Sequence, residues 1–213
     1  MRPSIQGGSA LLVLLMFFNG CQGSGAMQPI TTVTNLDLNR FMGTWYVLAD
    51  IATPFDKDAY APTEHYALAD NGRVETTYQY RKGGPQGEIK SKTMSARPHA
   101  ETPAIWGMRI LWPFEADYRV AYLDPDYRYT VVARNKRDFV WIMARDQDLE
   151  DALVIDILRK VEGMGYDLTK LRFHHGLEDF TLSKDGGVIT GAGPDLRASE
   201  SEVLEQSTPR FGT

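Results

Sequence analysis

The chain has 213 residues, of which 43% are hydrophobic, and its formal net charge is -5. This length and apolar content can build one substantial core, and the repeated strand patterns described below favour a single all-β domain over two domains. The negative charge and the lack of a basic cluster argue against a nucleic-acid-binding surface. Small molecules or proteins are therefore the expected partners.

The N-terminus has the layout of a secretory signal. Arg2 precedes an apolar run at residues 10–18, which is too short to span a bilayer comfortably. Gly20 and Cys21 follow, and Cys21 is the only cysteine in the chain, so it cannot form an intramolecular disulfide. The segment resembles a bacterial lipoprotein signal, which implies removal of residues 1–20 and lipidation of Cys21. The alternative is a buried or unprocessed cysteine.

The residue after the cysteine bears on localisation. In bacterial lipoproteins an aspartate there commonly causes retention at the inner membrane, whereas this chain has Gln22. By that analogy we expect the protein in the cell envelope, anchored by its lipid to the outer membrane and facing the periplasm. Residues 21–34 include the small and polar stretch 23–29 and are interpreted as a flexible tether.

Eight segments between residues 45 and 144 have the patterns of β-strands. We predict them at 45–49, 64–69, 73–80, 88–96, 105–111, 118–123, 127–134 and 138–144. Eight antiparallel strands in up-and-down order can close into a barrel that has no free edge and holds one small ligand. The glycines at 83–87 indicate a hairpin loop and not a phosphate-binding loop, because no strand-to-helix junction follows them.

The strand at 73–80 has the clearest alternation of side chains. One face carries Val74, Thr76, Tyr78 and Tyr80, and the other carries Glu75, Thr77 and Gln79. A similar set on a later strand is Tyr118, Val120 and Tyr122. In a closed barrel the set that contains Tyr78 and the set that contains Tyr118 would face inward. Tyrosines suit a cavity that holds an acyl chain, because their hydroxyls can bind a polar group or water. The alternative is that these tyrosines simply fill the core.

The last two strands are joined by a short turn at 135–137. The strand at 127–134 is more apolar on one side, because Tyr127, Tyr129, Val131 and Ala133 alternate with more polar residues. The strand at 138–144 is apolar on both sides, which suggests burial within a sheet.

After residue 144 the hydrophobic period becomes helical. The apolar positions are Leu149, Leu153, Ile157, Leu158 and Val161. We predict a helix that begins near Leu149, with Asp148 as N-cap, Asp151 adding negative charge to the first turn, and Gly163 or Gly165 ending it. It should pack on the outer wall of the barrel, and residues 168–173 should form a short final strand.

The C-terminal part has no sustained periodicity. Residues 176–213 are rich in glycine, serine and glutamate, and we interpret them as a flexible extension without an assigned function. A short strand at 179–183 is possible within this extension.

Three motifs in a fixed order resemble those of the lipocalin family. They are Gly43-Thr44-Trp45-Tyr46, then Asp124-Pro125-Asp126-Tyr127-Arg128-Tyr129, then Trp141-Ile142 followed by Arg145 and a helix. The resemblance covers residues 36–174 and is closest to the bacterial outer-membrane lipoprotein branch. It implies an eight-stranded antiparallel up-and-down barrel at 35–175 with a C-terminal helix on its outside. It also implies that Arg145 stacks on Trp45 and closes the lower end of the barrel.

Motifs for metal binding or catalysis are missing from the sequence. The histidines are His65, His99, His174 and His175. Adjacent strand residues point to opposite faces, and no cysteine or carboxylate spacing accompanies residues 174–175, so we interpret them as a surface pair and not a metal site. No Gly-x-Ser-x-Gly, phosphate loop or His-Glu-x-x-His pattern occurs. We therefore predict no catalytic residue, no metal and no cofactor.

Three functional hypotheses follow from the sequence. The first, which we favour, is a membrane-anchored carrier or storage protein for fatty acids, lysophospholipids or related amphiphiles, serving envelope maintenance. The second is a small isomerase or hydrolase in which Glu64 and the tyrosines supply an acid and a base inside the cavity. The third is an interaction protein whose barrel is filled by its own side chains. The sequence does not indicate an oligomeric state.

Overall fold

A computed structural model describes residues 27–111, 114–177 and 180. Within these residues the chain forms two α-helices, nine strands and one 3-10 helix at Leu168–Lys170. The helices are α1 (Leu38–Phe41) and α2 (Asp151–Gly163). The strands are β1 (Gly43–Ile51), β2 (Ala59–Leu68), β3 (Val74–Lys82), β4 (Ile89–Pro98), β5 (Ile105–Leu111), β6 (Phe114–Leu123), β7 (Tyr129–Ala133), β8 (Val140–Ala144) and β9 (Arg172–Phe173).

The first eight strands form a closed barrel. Each strand from β1 to β7 pairs antiparallel with the next, and β8 pairs antiparallel with β1, which closes the barrel. The short strand β9 adds to β1 beyond the point where β1 leaves β2. The predicted eight-stranded up-and-down barrel is confirmed, and closure pairs the two edges that an open sheet would expose.

Up-and-down order gives the barrel two distinct ends. The β1–β2, β3–β4, β5–β6 and β7–β8 connections lie at one end, which we call the open end because the cavity described below reaches it. The β2–β3, β4–β5 and β6–β7 connections lie at the other end, which we call the closed end. There α1 covers the barrel: Asp37 caps it by accepting from the N–H of Asn39, and Phe41 is fully buried.

The core has two parts, separated by the barrel wall. The inner part lies between the strands and includes Trp45, Val74 and Trp106. The outer part lies between the wall and α2, whose buried residues are Val154, Ile157, Leu158 and Val161. The helix thus packs on the outside, as predicted.

Strand β7 contributes to both parts of the core. All five of its residues are buried. Val132 belongs to the inner part, whereas Tyr129, Val131 and Ala133 belong to the outer part. The alternation seen in the sequence therefore separates two buried sides, because α2 covers the outer face that would otherwise contact water.

The start of α2 differs from the prediction. The helix begins at Asp151, and its N-cap is Glu150, whose side chain makes no capping hydrogen bond. Asp148 is not the N-cap, because its N–H donates to Asp146 Oδ1 (3.2 Å) in a turn that precedes the helix. Asp151 does lie in the first turn, and the helix ends at Gly163.

Three predicted strands are shorter in the structure. Strand β8 begins at Val140 and not at 138, and in the other two polar turns replace the first residues. Strand β7 starts at Tyr129 and not at 127, since Asp124 Oδ2 accepts from the N–H groups of Asp126 and Arg128 and holds a turn there. Residues 168–170 form the 3-10 helix, which is capped by Asp167 through the N–H of Thr169 (3.1 Å). Only Arg172–Phe173 remains as a strand.

Residues on both sides of the predicted range 35–175 also contact the barrel. Ile30 is buried against the outer core, and its N–H donates to Asn135 Oδ1 (2.8 Å). Residues 28–33 of the expected tether are thus held against the barrel. On the other side Leu177 and Phe180 are buried in the outer core.

Several sequence predictions fall outside the described residues. These are the signal at 1–20, Cys21, the first part of the tether, and the extension beyond residue 180 with most of the possible strand at 179–183. In the described part of the chain, no helix is long and apolar enough to cross a membrane.

Candidate functional site

The barrel contains a cavity of about 300 Å³ that reaches the open end. Its walls combine apolar side chains with a few polar ones. The lining residues are Thr53, Phe55, Asp56, Glu64, Tyr78, Lys92, Met94, Met108, Ala116, Asp117, Tyr118 and Trp141. Small-molecule pockets usually have roughly 300 to 1,000 Å³, so this volume suits one small ligand.

Strand register brings three polar residues into one row. Glu64 on β2 is the direct partner of Tyr78 on β3, and Tyr78 is the direct partner of Lys92 on β4. Residues opposite each other on paired strands share a face of the sheet, and all three line the cavity. We call Glu64, Tyr78 and Lys92 the polar row. It runs from the interior, where Glu64 pairs with Trp45 on β1, towards the open end.

The inner end of the polar row is a buried hydrogen-bonded cluster. The Tyr66 hydroxyl donates to Glu64 Oε2 and lies 2.7 Å from the Tyr118 hydroxyl. Burial raises the pKa of Glu64 to about 8, and the negative charges of Asp56 and Asp50 contribute to the shift. Since its pKa lies above 7, Glu64 is mainly an uncharged carboxyl group at neutral pH.

The middle of the row is the uncharged hydroxyl of Tyr78. Tyr78 is only 3% exposed, and its hydroxyl makes no hydrogen bond within the described residues. Burial raises the pKa of Tyr78, and the negative charge of nearby carboxylates such as Asp56 raises it further. The phenol therefore keeps its proton. An unpaired buried hydroxyl costs about 1 to 3 kcal/mol. A ligand oxygen that reached it would recover that cost.

The mouth of the cavity carries an ion pair and an exposed aromatic ring. Lys92 Nζ lies 3.0 Å from Asp56 Oδ1 and donates to the Phe55 carbonyl oxygen at 2.9 Å. The Thr53 hydroxyl donates to Asp56 and holds the loop. The Phe55 side chain itself is 75% exposed. Polar groups at the mouth are thus anchored, while one large apolar side chain faces outward.

A second buried charged cluster supports the mouth from outside the cavity. Asp50 is fully buried and accepts from Arg172 Nη2 at 2.7 Å. Arg172 also donates to the carbonyl oxygen of Lys57 at 2.7 Å, so it connects β1 to the β1–β2 loop. A buried charge is tolerated here because a bidentate partner compensates for lost hydration.

The structure corrects the interpretation of His174 and His175 as a surface pair. His174 is buried, with Nε2 3.4 Å from Asp50 Oδ1, because its backbone N–H continues the pairing of β9 by donating to the Leu48 carbonyl oxygen. His175 is half-buried, and Nε2 lies 2.9 Å from the Pro62 carbonyl oxygen. No group of three or more potential metal ligands occurs among the described residues.

The predicted cavity residues fall into three sets. Tyr78 and Tyr118 line the cavity. Val74, Thr76 and Val120 are fully buried and lie nearer the closed end, where they do not contribute to its lining. Tyr80 is half-buried beside Tyr78, with ring centroids 5.3 Å apart, and also does not contribute.

Tyr122 is on the wrong face for the cavity. The pairing of β6 with β7 shifts between Val120 and Tyr122, which adds one residue to β6 and reverses the alternation. Tyr122 therefore packs against the outer core, with its ring 5.1 Å from Lys160 Nζ of α2. A sequence pattern of period two cannot reveal such a bulge.

Several lining residues are not among those predicted from the sequence, but the alternation of residues along β4 could have indicated two of them. Lys92 and Met94 are two positions apart, as are Met94 and Ala96, so all three share one face of the strand. Phe55 and Asp56 lie in a loop, and their position depends on how the loop folds over the mouth.

Trp45 and Arg145 meet at the closed end. Arg145 Cζ lies 3.8 Å from the centroid of the Trp45 ring, and Trp45 is fully buried. The guanidinium donates to the carbonyl oxygens of Met42 and Thr44, each at 2.7 Å, and burial lowers the pKa of Arg145 to about 10. Gly43 has φ +94°, and a Cβ there would lie 3.3 Å from Arg145 Nη1, which explains glycine at this place in the motif.

The raised pKa of Glu64 predicts a pH-dependent stability. The folded protein binds more protons at this site than the unfolded chain, so stability should fall as pH rises from about 4.5 through about 8. We expect the parent to lose on the order of 2 to 4 kcal/mol more than a Glu64→Gln variant between pH 5 and pH 8, since one pKa unit corresponds to about 1.4 kcal/mol and most of this pH interval lies between the two pKa values. Denaturant titrations at both pH values measure this difference, and parallel losses would contradict it.

Comparison with known proteins agrees with this architecture. A family model described as a lipocalin-like domain matches residues 36–175. The outer membrane lipoprotein Blc of Citrobacter freundii is 28% identical over 154 residues, which cover 71% of this chain and 85% of that protein. Temperature-induced lipocalin-1 of Arabidopsis thaliana is 27% identical over 151 residues, which cover 68% of this chain and 81% of that protein.

A solved structure supports the fold independently. The cockroach allergen Per a 4 superposes with a TM-score of 0.52 at 20% identity, covering 68% of this chain and 92% of that one. At this identity the likeness concerns the fold alone. Together with the closed barrel, the external helix and the match over residues 36–175, these comparisons establish that the chain belongs to the lipocalin family, in the branch of the bacterial Blc lipoproteins.

Proposed function

We propose that this protein is a membrane-anchored lipocalin that binds or stores one small amphiphile, such as a fatty acid or a lysophospholipid, for envelope maintenance. The observation that carries the proposal is a single-ligand cavity with apolar walls that contains the polar row and reaches the open end. Its relatives are named lipocalins and outer membrane lipoproteins, which supports a small hydrophobic ligand and a location in the envelope.

The lining suits an acyl chain attached to a polar group. Met94, Met108 and Trp141 offer adaptable apolar contacts, and each buried methylene contributes about 0.8 kcal/mol. The unpaired Tyr78 hydroxyl and the Lys92 ammonium group offer hydrogen bonds to an oxygen of the ligand. A single-chain lipid therefore satisfies both parts of the site.

One observation favours a second candidate, a small isomerase or hydrolase. Glu64 lines the cavity, and its pKa of about 8 lies in the range useful for a general acid or base at neutral pH. However, Glu64 Oε2 already accepts a hydrogen bond from the Tyr66 hydroxyl. This structural hydrogen bond is sufficient to explain a glutamate inside the barrel.

Mass spectrometry of the purified protein distinguishes these functions. A carrier should co-purify with a single-chain lipid in a ratio near one, and that lipid should remain chemically unchanged on incubation with fresh protein. Conversion of the lipid would favour the enzyme. Failure to retain or bind any amphiphile would favour a barrel without a carrier role.

We further propose that Cys21 carries the lipid anchor. It follows the short apolar run and Gly20, and relatives in the same branch are named outer membrane lipoproteins. Expressed in a bacterium with its own signal, the protein should incorporate labelled palmitate, and Cys21→Ser should remove the label. Equal labelling of parent and variant, measured on purified protein, would contradict the assignment.

A further inference from the structure

The N-terminal segment shows from which end of the barrel the preceding chain emerges. The carbonyl oxygen of Gln28 accepts from Arg137 Nη2 (2.8 Å), and the N–H of Ile30 donates to Asn135 Oδ1 (2.8 Å). Asn135 and Arg137 belong to the β7–β8 connection, which lies at the open end. The N–H of Asn135 also donates to Asp117, a residue of the cavity lining.

From there the chain runs along the barrel to the closed end. The N–H of Val33 donates to the Val120 carbonyl oxygen (3.0 Å), and the N–H of Asp37 donates to the Tyr127 hydroxyl (2.9 Å) in the β6–β7 connection. We call residues 28–36 the N-terminal strap. Because the strap descends from the open end, Gln28 lies at that end of the barrel, on the side of the cavity mouth.

Exposed apolar side chains occur at the open end. Among the residues whose side chains the structure describes, four large hydrophobic residues are well exposed. Three of them lie at the open end: Met27 (61% exposed) directly before the strap, Phe55 (75%) in the β1–β2 loop, and Ile89 (54%) at the start of β4. Leu68 (40%) lies at the closed end, where β2 finishes. We call the first three residues the apolar rim.

We propose that the apolar rim rests in the interface of the bilayer to which the protein is anchored, so that the cavity mouth faces the membrane. The inference rests on the proposed lipidation of Cys21. A ligand would then pass between bilayer and cavity without crossing bulk water. The partner that the apolar rim contacts is thus a lipid surface.

The short link between anchor and barrel supports this orientation. Seven peptide steps separate Cys21 from Gln28, which allows at most about 25 Å of reach. Strands of nine or ten residues such as β3 and β4 are about 30 Å long, and their tilt in a barrel reduces the distance between the two ends to about 23 Å, so the closed end lies close to the limit of that reach. With the mouth towards the bilayer, no extension is needed, and apolar side chains around an anchor add to its otherwise weak hold on the membrane.

A pair of labelled variants tests the orientation. Cys21 is the only cysteine, and acylation blocks it, so Phe55→Cys and Leu68→Cys can each carry one environment-sensitive NBD dye. The full acylated chain is placed in vesicles of phosphatidylethanolamine and phosphatidylglycerol that contain a spin-labelled lipid. We expect a blue-shifted emission and at least threefold stronger quenching for the dye at position 55 than for the dye at position 68.

Each other outcome overturns the proposal in an identifiable way. If the protein floats with vesicles but both dyes remain in water, or the dye at position 68 is quenched as strongly, the orientation is wrong and the anchor stands. If the protein does not float, the lipidation fails and the orientation fails with it. A blue shift at position 55 that depends on protein concentration without vesicles would show that a second copy covers the rim instead.

Discussion

Replacing Trp45 with alanine should lower the free energy of unfolding by about 3 to 5 kcal/mol. Trp45 is fully buried, its ring lies 5.0 Å from that of Phe41, and its Nε1–H donates to the Phe41 carbonyl oxygen at 2.9 Å. The change removes a large aromatic group from the inner core and leaves Arg145 without its stacking partner. The midpoint of denaturant unfolding measures the loss.

Arg145→Ala is the matched comparison at the closed end. It removes a cation–π contact of about 0.5 to 2 kcal/mol and the hydrogen bonds to carbonyl oxygens of Met42 and Thr44, but it does not open a cavity as large. We expect a smaller loss of stability and unchanged ligand affinity, because Arg145 does not line the cavity. If both variants unfold at the same denaturant concentration as the parent, closure by this pair contributes no stability.

Tyr78→Asp should weaken fatty-acid binding more than tenfold in a variant that still folds. The substitution places a carboxylate in the cavity wall beside Glu64 and in the field of Asp56, where burial and like charge both disfavour an anionic ligand. Titration with a fluorescent fatty acid measures affinity, and circular dichroism verifies that the barrel has formed.

Thr77→Asp is the control for that experiment. Thr77 precedes Tyr78 in β3, and its side chain points to the outer face, so the same charge should change affinity little. Ala116→Phe supplies a second variant without a charge: Ala116 lines the cavity, and a phenyl ring there should fill part of its volume and also weaken binding. Similar losses in Tyr78→Asp and Thr77→Asp, or no loss in either, would exclude this strand from the binding wall.

Local patterns in the sequence were enough to predict the class of fold and most of its elements. Strand β3 was predicted from the alternation of Val74, Thr76 and Tyr78, and α2 from apolar residues at helical spacing, since both patterns are local. The order of the Gly-x-Trp motif, the later double strand and the helix was enough to indicate the family. Each of these patterns lies within a short stretch of the chain, so it predicts its element without information on how distant segments pack.

The set of side chains that meet in the cavity could not be predicted from local patterns. The polar row needs the register of β2, β3 and β4, and residues at one level of these strands are separated by about fourteen positions that no local pattern connects. Tyr122 lies outside the cavity because β6 has a bulge of one extra residue. His174 is buried because β9 pairs with a strand more than a hundred positions earlier. Contacts of this kind depend on where distant segments pack, because closing a barrel sets the register of every strand pair at once.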